Sequence, residues 1–188
     1  MQSYDVTAET TASPVVVWAL LLDPWSWPEW SPIDALQSDR SRDLSSDGRD
    51  EVGATRAFRT GKAVTQERIT TLDPGRRFAY EGVENPQMAD YHAAVELHEL
   101  PGGGTRIRWH GTYRARRGMR RFFQWYLRRF MRRMATGLAE HAARLDASPA
   151  RSDRSRGRPA TGRSTRTTPP GTIFDKRAEV EAFREEGT

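Results

Sequence analysis

The stretch YHAAVELHELPGGGTRIRWHGTY, residues 91–113, decides the fold class. Its centre, PGGG at residues 101–104, is a turn signal, and both arms alternate apolar and polar residues as a β-hairpin does. One face would carry Tyr91, Ala93, Val95, Leu97, Ile107, Trp109, Gly111 and Tyr113. The other face would carry His92, Glu96, His98, Arg106, Arg108 and His110. The pattern predicts a hairpin with one face on a core and the other in solvent.

Strand patterns also precede this hairpin. Segments 52–60, 63–72 and 77–83 are separated by turn signals, and with strands 91–100 and 105–114 they predict an antiparallel meander.

The N-terminal part mixes a strand with short helices. Residues 4–11 read as a first strand, and residues 25–30 as one short turn. Residues 15–22 predict a helix, because Ser13-Pro14 supplies an N-cap followed by proline at the first helical position. A buried strand is the alternative for that segment. The polar loop 38–50 is too charged to be buried.

A long helical pattern follows the meander, over residues 119–145. Its apolar positions, spaced three and four apart, are Phe123, Leu127, Phe130, Met134, Leu138, His141 and Leu145. The far side carries Arg121, Arg128, Arg129, Arg132 and Arg133, with Trp125 among them. A helix of this length and apolar width fits along a curved sheet.

Composition limits the class of protein. The 188 residues include no cysteine, which excludes disulfides and thiol chemistry and favours a reducing compartment. The first twelve residues lack the basic opening of a signal peptide, and the longest apolar run, residues 15–22, is far shorter than a membrane span. We therefore expect a soluble, cytoplasmic protein.

The net charge and the composition of the sequence both change toward its C-terminal end. Residues 1–113 are net acidic, whereas residues 114–147 hold ten arginines against Glu140 and Asp146. Residues 147–171, rich in Arg, Ser and Pro, predict a disordered linker, because they offer almost nothing to bury. Residues 172–188 predict a short tail that is helical at most in part. The folded domain should therefore span residues 1–146.

The recognised catalytic motifs are missing. There is no GxSxG, P-loop, HExxH or GxGxxG pattern, and the four histidines lack metal-ligand spacing. We therefore predict no catalytic residue, metal or cofactor, and a binding protein is favoured over an enzyme.

Arg56 and Glu67 are the polar residues of greatest interest. Arg56 alternates with Phe58, and Glu67 shares its parity with Ile69, so both charges would point into the core from adjacent strands. Buried charges need partners, which suggests that the two pair and orient an oxygen of a ligand. The alternative is that one or both reach solvent at a strand end.

Five segments in order carry a family resemblance. They are residues 12–32 (ASP through WSP), 52–58 (VGATRAF), 67–69 (ERI), 73–80 (DPGRRFAY) and 103–109 (GGTRIRW). Over about residues 3–145 the chain resembles the START-related polyketide cyclase/dehydrase and lipid-transport superfamily, SRPBCC. The resemblance implies an α+β helix-grip fold, a curved antiparallel sheet wrapped around a long C-terminal helix, here followed by a disordered tail.

The resemblance also implies an apolar cavity between the sheet and the long helix. The expected function is binding or carriage of a small hydrophobic or aromatic ligand, with a polyketide cyclase or dehydratase as the alternative. The predicted ligand-binding residues are Trp30, Arg56, Phe58, Glu67, Tyr80, Tyr91 and Trp109. Trp27 and Tyr113 are further candidates for the wall of the cavity.

The arginine face of the long helix supports a third hypothesis. Trp125, Arg128, Arg129, Arg132 and Arg133 would dock an anionic membrane or an acidic protein. A solvated helix face is the alternative. The acidic remainder of the domain argues against nucleic acid as a partner.

Overall fold

The computed structural model describes residues 1–85, 87–115 and 120–147, which contain seven antiparallel strands, three α-helices and a short 3-10 helix (Ser38–Arg40). The strands are β1 (Gln2–Thr10), β2 (Ala35–Leu36), β3 (Thr55–Thr60), β4 (Ala63–Asp73), β5 (Arg77–Glu84), β6 (Met88–Glu99) and β7 (Thr105–Ala115). The helices are α1 (Pro14–Leu22), α2 (Trp27–Trp30) and α3 (Arg120–Ala147). The strand order is β1-β7-β6-β5-β4-β3-β2, so β1 closes the far edge of the meander.

The β6–β7 hairpin has the predicted register. Val95 lies opposite Trp109, and Ala93 opposite Gly111, on the buried face. Glu96 lies opposite Arg108 on the outer face, where their side chains are 3.2 Å apart. The alternation of the sequence therefore places one face of the sheet against the helices and the other in solvent.

Irregular pairing bends the sheet near its middle. The register of β4 on β5 shifts between Gln66 and Glu67 and again between Ile69 and Thr71. Extra residues in one strand increase its local twist and turn side chains in new directions. Glu67, a predicted site residue, lies at one of these shifts.

The helix α3 packs along β1 and β7 and against α1 and α2. Thr10 donates a 2.7 Å hydrogen bond to the carbonyl of Ala139, and the backbone of Ser13 donates to Asp146. Gly137 faces the end of α2, where a methyl group in place of its hydrogen would overlap the Trp30 carbonyl oxygen. Only a residue without a side chain allows this approach of the two helices.

The buried face of α3 differs from the predicted one. It is formed by Phe123, Leu127, Met131, Met134, Ala135, Leu138, Ala139 and Ala142. Phe130 and His141 are half-buried, and Leu145 is 49% exposed, so its predicted place on the inner face was wrong. The predicted face was chosen from large side chains, whereas three of the eight buried residues of α3 are alanines.

Two loop predictions also need correction. The predicted strand 52–60 begins only at Thr55, because Gly53 has a φ of 100° and Val52 is exposed. The loop 38–50 was predicted to be too charged for burial, yet its last residue, Asp50, is 1% exposed. The carboxylate of Asp50 is buried because it pairs with a buried arginine.

The remaining segments follow the predictions closely. Residues 15–22 are helical rather than a strand, and the short turn is α2. The start of α3 at Met119, the linker from residue 148 onward and the tail 172–188 lie outside the described residues, while Ala147 is the last residue of α3. No helix within the described ranges is long and apolar enough to cross a bilayer.

We predict that Gly137→Ala destabilises the fold by about 2–3 kcal/mol, because the added methyl group forces α2 away from α3. In an unconstrained helix the same change stabilises by up to about 1 kcal/mol. Urea unfolding would measure the difference, with Thr136→Ala on the exposed side of α3 as the control. A stabilised Gly137→Ala variant would contradict this packing.

Candidate functional site

Arg56 is a buried cation held entirely by the protein. Its Nε donates to Asp50 at 2.8 Å, and its terminal nitrogens donate to the carbonyls of Leu21 and Leu22 at 2.8 and 2.6 Å. The guanidinium carbon also lies 5.4 Å from the Trp27 ring centre. Because these acceptors occupy three of its nitrogens, Arg56 ties β3 to the loop and to the end of α1.

The predicted ion pair between Arg56 and Glu67 is therefore wrong, because Arg56 pairs with a different residue. The two residues are directly opposite on β3 and β4, as the parity of the strands predicts. The ion pair of Arg56, however, is with Asp50, and both side chains are buried. Sequence alternation brings strand neighbours together but gives no sign of a partner that arrives from a loop.

Glu67 is a half-buried carboxyl group without a hydrogen bond to any other described residue. Burial raises the pKa of its carboxyl from 4.5 to about 7, while the positive charge of Arg56 acts in the opposite direction. Near neutral pH this group therefore exchanges its proton readily. It can accept a hydrogen bond in one state and donate one in the other.

Three tyrosines form a chain of hydroxyl groups within electrostatic reach of Glu67. The hydroxyls of Tyr4 and Tyr91 are 2.6 Å apart, and those of Tyr91 and Tyr80 are 3.2 Å apart. Trp109 donates its indole N–H to Tyr80 at 3.0 Å. Burial raises the pKa of all three phenols well above 10.0, and the nearby Glu67 charge adds to the effect. The three groups are therefore neutral hydrogen-bonding partners.

Two glycines make room for these rings. A methyl group at Gly82 would lie 3.1 Å from the Cβ of Tyr91, and one at Gly111 would lie 2.8 Å from the Tyr4 hydroxyl. Gly82 is paired with Glu67, and Gly111 with Tyr4. The sheet thus places small residues at the strand positions over which the tyrosines lie.

The other predicted aromatic residues form a packed floor. Trp27 stacks on Phe58 with ring centres 5.0 Å apart and meets Trp109 edge-on at 5.9 Å. Trp30 lies 5.1 Å from Trp27 and donates its indole N–H to Ser26. Tyr113 contacts Phe123 at 5.7 Å. The rings of Trp27, Trp30, Phe58 and Trp109 form one connected, buried group, so this part of the interior is core.

The structure therefore brings together Glu67, Tyr80, Tyr91 and Trp109 from the predicted set. Tyr4 and Asp50 were not among the predicted residues. Tyr4 alternates with Val6 in the first strand, but nothing in the sequence showed that β1 pairs with β7. Asp50 carried no signal, because its partners, Arg56 and the backbone N–H of Ser45, are brought to it by the folded loop.

The predicted arginine surface lies on the outer side of α3. Trp125 is 62% exposed, and Arg128, Arg129 and Arg132 are exposed, whereas Arg133 is half-buried. Arg129 and Arg133 already interact with other parts of the chain. No group of three or more potential metal ligands occurs in the parts of the chain that are described.

Known proteins share both sequence features and the fold of this chain. The family model for "Polyketide cyclase / dehydrase and lipid transport" matches residues 1–143. No curated protein matches the chain.

Several solved structures have the same architecture. The aromatase/cyclase Zhui from Streptomyces sp. R1128 is 16% identical, with 79% of this chain and 98% of that one covered and a TM-score of 0.65. A START superfamily protein from Mycobacterium smegmatis is 13% identical, with 76% and 98% covered and a TM-score of 0.63. The protein XoxI from Bacillus cereus is 19% identical, with 77% and 98% covered and a TM-score of 0.62. At these identities the likeness concerns the fold.

We predict that Arg56→Met destabilises the protein by about 3–5 kcal/mol, because Asp50 would keep a buried charge without a partner. The control is Arg68→Met, which removes the exposed ion pair with Glu81 and should change stability by about 1 kcal/mol or less. Equal effects of the two substitutions in urea unfolding would contradict the role of Arg56.

Glu67 should make stability depend on pH. Its pKa is higher in the folded state, so folding is favoured at low pH, and stability falls as the pH rises from about 4.5 to about 7. We predict that the free energy of unfolding of Glu67→Gln, taken relative to that of the wild type, increases by roughly 2–3 kcal/mol from pH 5 to pH 8. Urea unfolding of both proteins at the two pH values measures this. A constant difference would mean that the pKa of Glu67 is ordinary.

Proposed function

Because the chain belongs to the polyketide cyclase/dehydrase and lipid transport family, we propose that it binds a small hydrophobic or aromatic molecule between the sheet and α3. The observation that carries this proposal is the chain of tyrosine hydroxyls beside Glu67, on the face of the sheet that the helices cover. The aromatic floor would contact the apolar body of the ligand. The polar groups would orient it, as in most small-molecule sites.

The energetics of the polar groups support a site over a plain core. Burying a carboxyl group without a hydrogen bond is unfavourable, and apolar side chains of similar size would give a more stable interior. Glu67 lacks such a bond among the described residues, and its raised pKa reflects that environment. A binding function supplies the reason for keeping it.

The first test is ligand occupancy. We predict that the neutral fluorophore N-phenyl-1-naphthylamine binds the purified protein with a rise in fluorescence, and that native mass spectrometry detects co-purified small molecules. Glu67→Trp fills the proposed site and should weaken binding of the fluorophore by about tenfold or more, equivalent to about 1.4 kcal/mol.

The matched control is Glu81→Trp, on the solvent side of β5 one residue from Gly82, where binding should stay unchanged. Circular dichroism would check that both variants are folded. Equal weakening by both substitutions, or no binding by the wild type, would contradict the proposed site.

A second candidate function is proton transfer on a ketone substrate, favoured by the pKa of about 7 at Glu67. The carboxylate would take a proton from the carbon next to the carbonyl, and the electron pair would move to the carbonyl oxygen. A tyrosine hydroxyl would donate a hydrogen bond to that oxygen. Such a base works best when its pKa lies near the working pH.

The enzymatic alternative predicts exchange of the α-hydrogens of 2-tetralone in deuterated water, measured by NMR. The rate should exceed that in buffer and increase with pH around a midpoint of about 7, as Glu67 loses its proton. Glu67→Gln should abolish the excess rate, and Glu81→Gln should retain it. Exchange no faster than in buffer would leave binding as the function.

A further inference from the structure

Arginines on two outer surfaces of the domain differ in their partners. On the outer face of the sheet, Arg106 pairs with Glu9 at 2.9 Å. On the outer side of α3, Arg128 and Arg132 have no hydrogen bond or ion pair with another described residue. The neighbouring sequence supplies no carboxylate, because residues 100–139 contain no Asp or Glu. These two charges are four residues apart on the helix and repel each other, so they favour an anionic partner from outside the domain.

An exposed stripe on α3 is formed by Arg121, Trp125, Arg128 and Arg132, and we call it the arginine–tryptophan surface. Successive members are three or four residues apart, which places their side chains on one side of the helix. The stripe is about 17 Å long at the rise of an α-helix. The indole of Trp125 is 62% exposed, so the neighbouring guanidinium groups do not cover it. A large apolar ring thus lies in solvent between cations.

Further aromatic rings lie beside Trp125. The ring centres of Phe122 and Trp125 are 6.2 Å apart, and those of Phe122 and Tyr126 are 6.5 Å apart. Phe122 and Tyr126 are both half-buried, so the row of rings runs from the packed side of α3 to the exposed indole. Trp and Tyr are enriched where a membrane meets water, because each combines an apolar ring with a polar atom. The indole can enter such an interface while the fold stays unchanged.

The small area of this surface decides which kind of partner fits it. One helix side of that length offers roughly 200 Å², whereas a stable protein interface takes about 800 Å² from each partner. A lipid surface needs no matching shape. Its affinity for a helix combines apolar insertion with the attraction of basic residues to anionic headgroups. The surface therefore suits an anionic membrane better than an acidic protein.

We propose that the arginine–tryptophan surface docks on an anionic membrane. Trp125 enters the interface between headgroups and acyl chains, and Arg121, Arg128 and Arg132 contact lipid phosphates. The surface faces away from the sheet, so this role is independent of the small-molecule site and goes beyond the proposed function.

The first test removes charge. Sedimentation of the full chain would compare vesicles of phosphatidylcholine and phosphatidylserine in equal parts with vesicles of phosphatidylcholine alone. We expect binding to the mixed vesicles only, and weaker binding as the salt concentration rises. The double variant Arg128→Gln/Arg132→Gln should lower the partition coefficient about tenfold or more, since each arginine near an anionic surface contributes about fivefold.

The matched control is Arg68→Gln/Arg106→Gln, which removes the same net charge from the outer face of the sheet. It should change the partition coefficient by about twofold or less, because salt screens charges that lie far from the contact. Circular dichroism would check that both double variants are folded.

The second test concerns the indole. Trp125→Ala should weaken binding severalfold, whereas Trp25→Ala, which removes a tryptophan that is 51% exposed outside α3, should leave it unchanged. Trp125→Phe keeps an apolar ring and should retain most of the binding. Vesicles with brominated acyl chains should quench the tryptophan fluorescence of the wild type more than that of Trp125→Phe.

Three results would overturn the proposal. The first is a wild type that does not bind the mixed vesicles even at low salt. The second is equal binding by the two double variants, which would assign the contact to another part of the chain. The third is binding of soluble polyglutamate as tight as that of the vesicles, with no effect of Trp125→Ala, which would assign the surface to an acidic protein. Each of them would leave the proposed function standing.

Discussion

The guanidinium of Arg56 holds together parts of the fold that the sheet alone would leave apart. It joins β3 to Asp50 in the long loop and to the last carbonyls of α1, and it lies against the rings of Trp27 and Phe78. Carbonyl groups at a helix end have no partner within the helix and must find one elsewhere. A single cation therefore fixes the end of α1 and the Trp27 ring of α2 over the sheet, and it positions the aromatic floor next to Glu67.

This clamp divides the interior into two parts with different energetics. On one side the rings of Trp27, Phe58 and Trp109 contact one another, and burial of apolar area stabilises them. On the other side Tyr4, Tyr91 and Glu67 bring polar groups together over Gly111 and Gly82. Polar groups in such surroundings stabilise only when every partner is present. Glu67 has no such partner among the described residues, so the stability of this second part depends on the protonation of its carboxyl group.

Predictions from the sequence are correct where periodicity is strong. The faces of the β6–β7 hairpin, and the neighbouring positions of Arg56 and Glu67, follow from a period of two along strands. The predictions fail where a contact comes from a loop or depends on a small side chain. Asp50 lies in a loop, and the close approach at Gly137 depends on a missing side chain. The buried face of α3 is rotated from its predicted centre because alanines carry little weight in a hydrophobic pattern.

The position of Glu67 shows how the fold permits an unfavourable group. A register shift in β4 between Gln66 and Glu67 interrupts the regular ladder beside this residue, and its partner on β5, Gly82, has no side chain. Arg56 is the nearest cation across the strands, but Asp50 neutralises it at 2.8 Å. Burial of Glu67 outweighs the opposing effect of the Arg56 charge, and the pKa of the Glu67 carboxyl therefore lies above its ordinary value. Asp50 and the two carbonyls at the end of α1 accept the hydrogen bonds of the Arg56 guanidinium, and Glu67 receives none of them. Glu67 therefore keeps a carboxyl group that can gain or lose a proton near neutral pH.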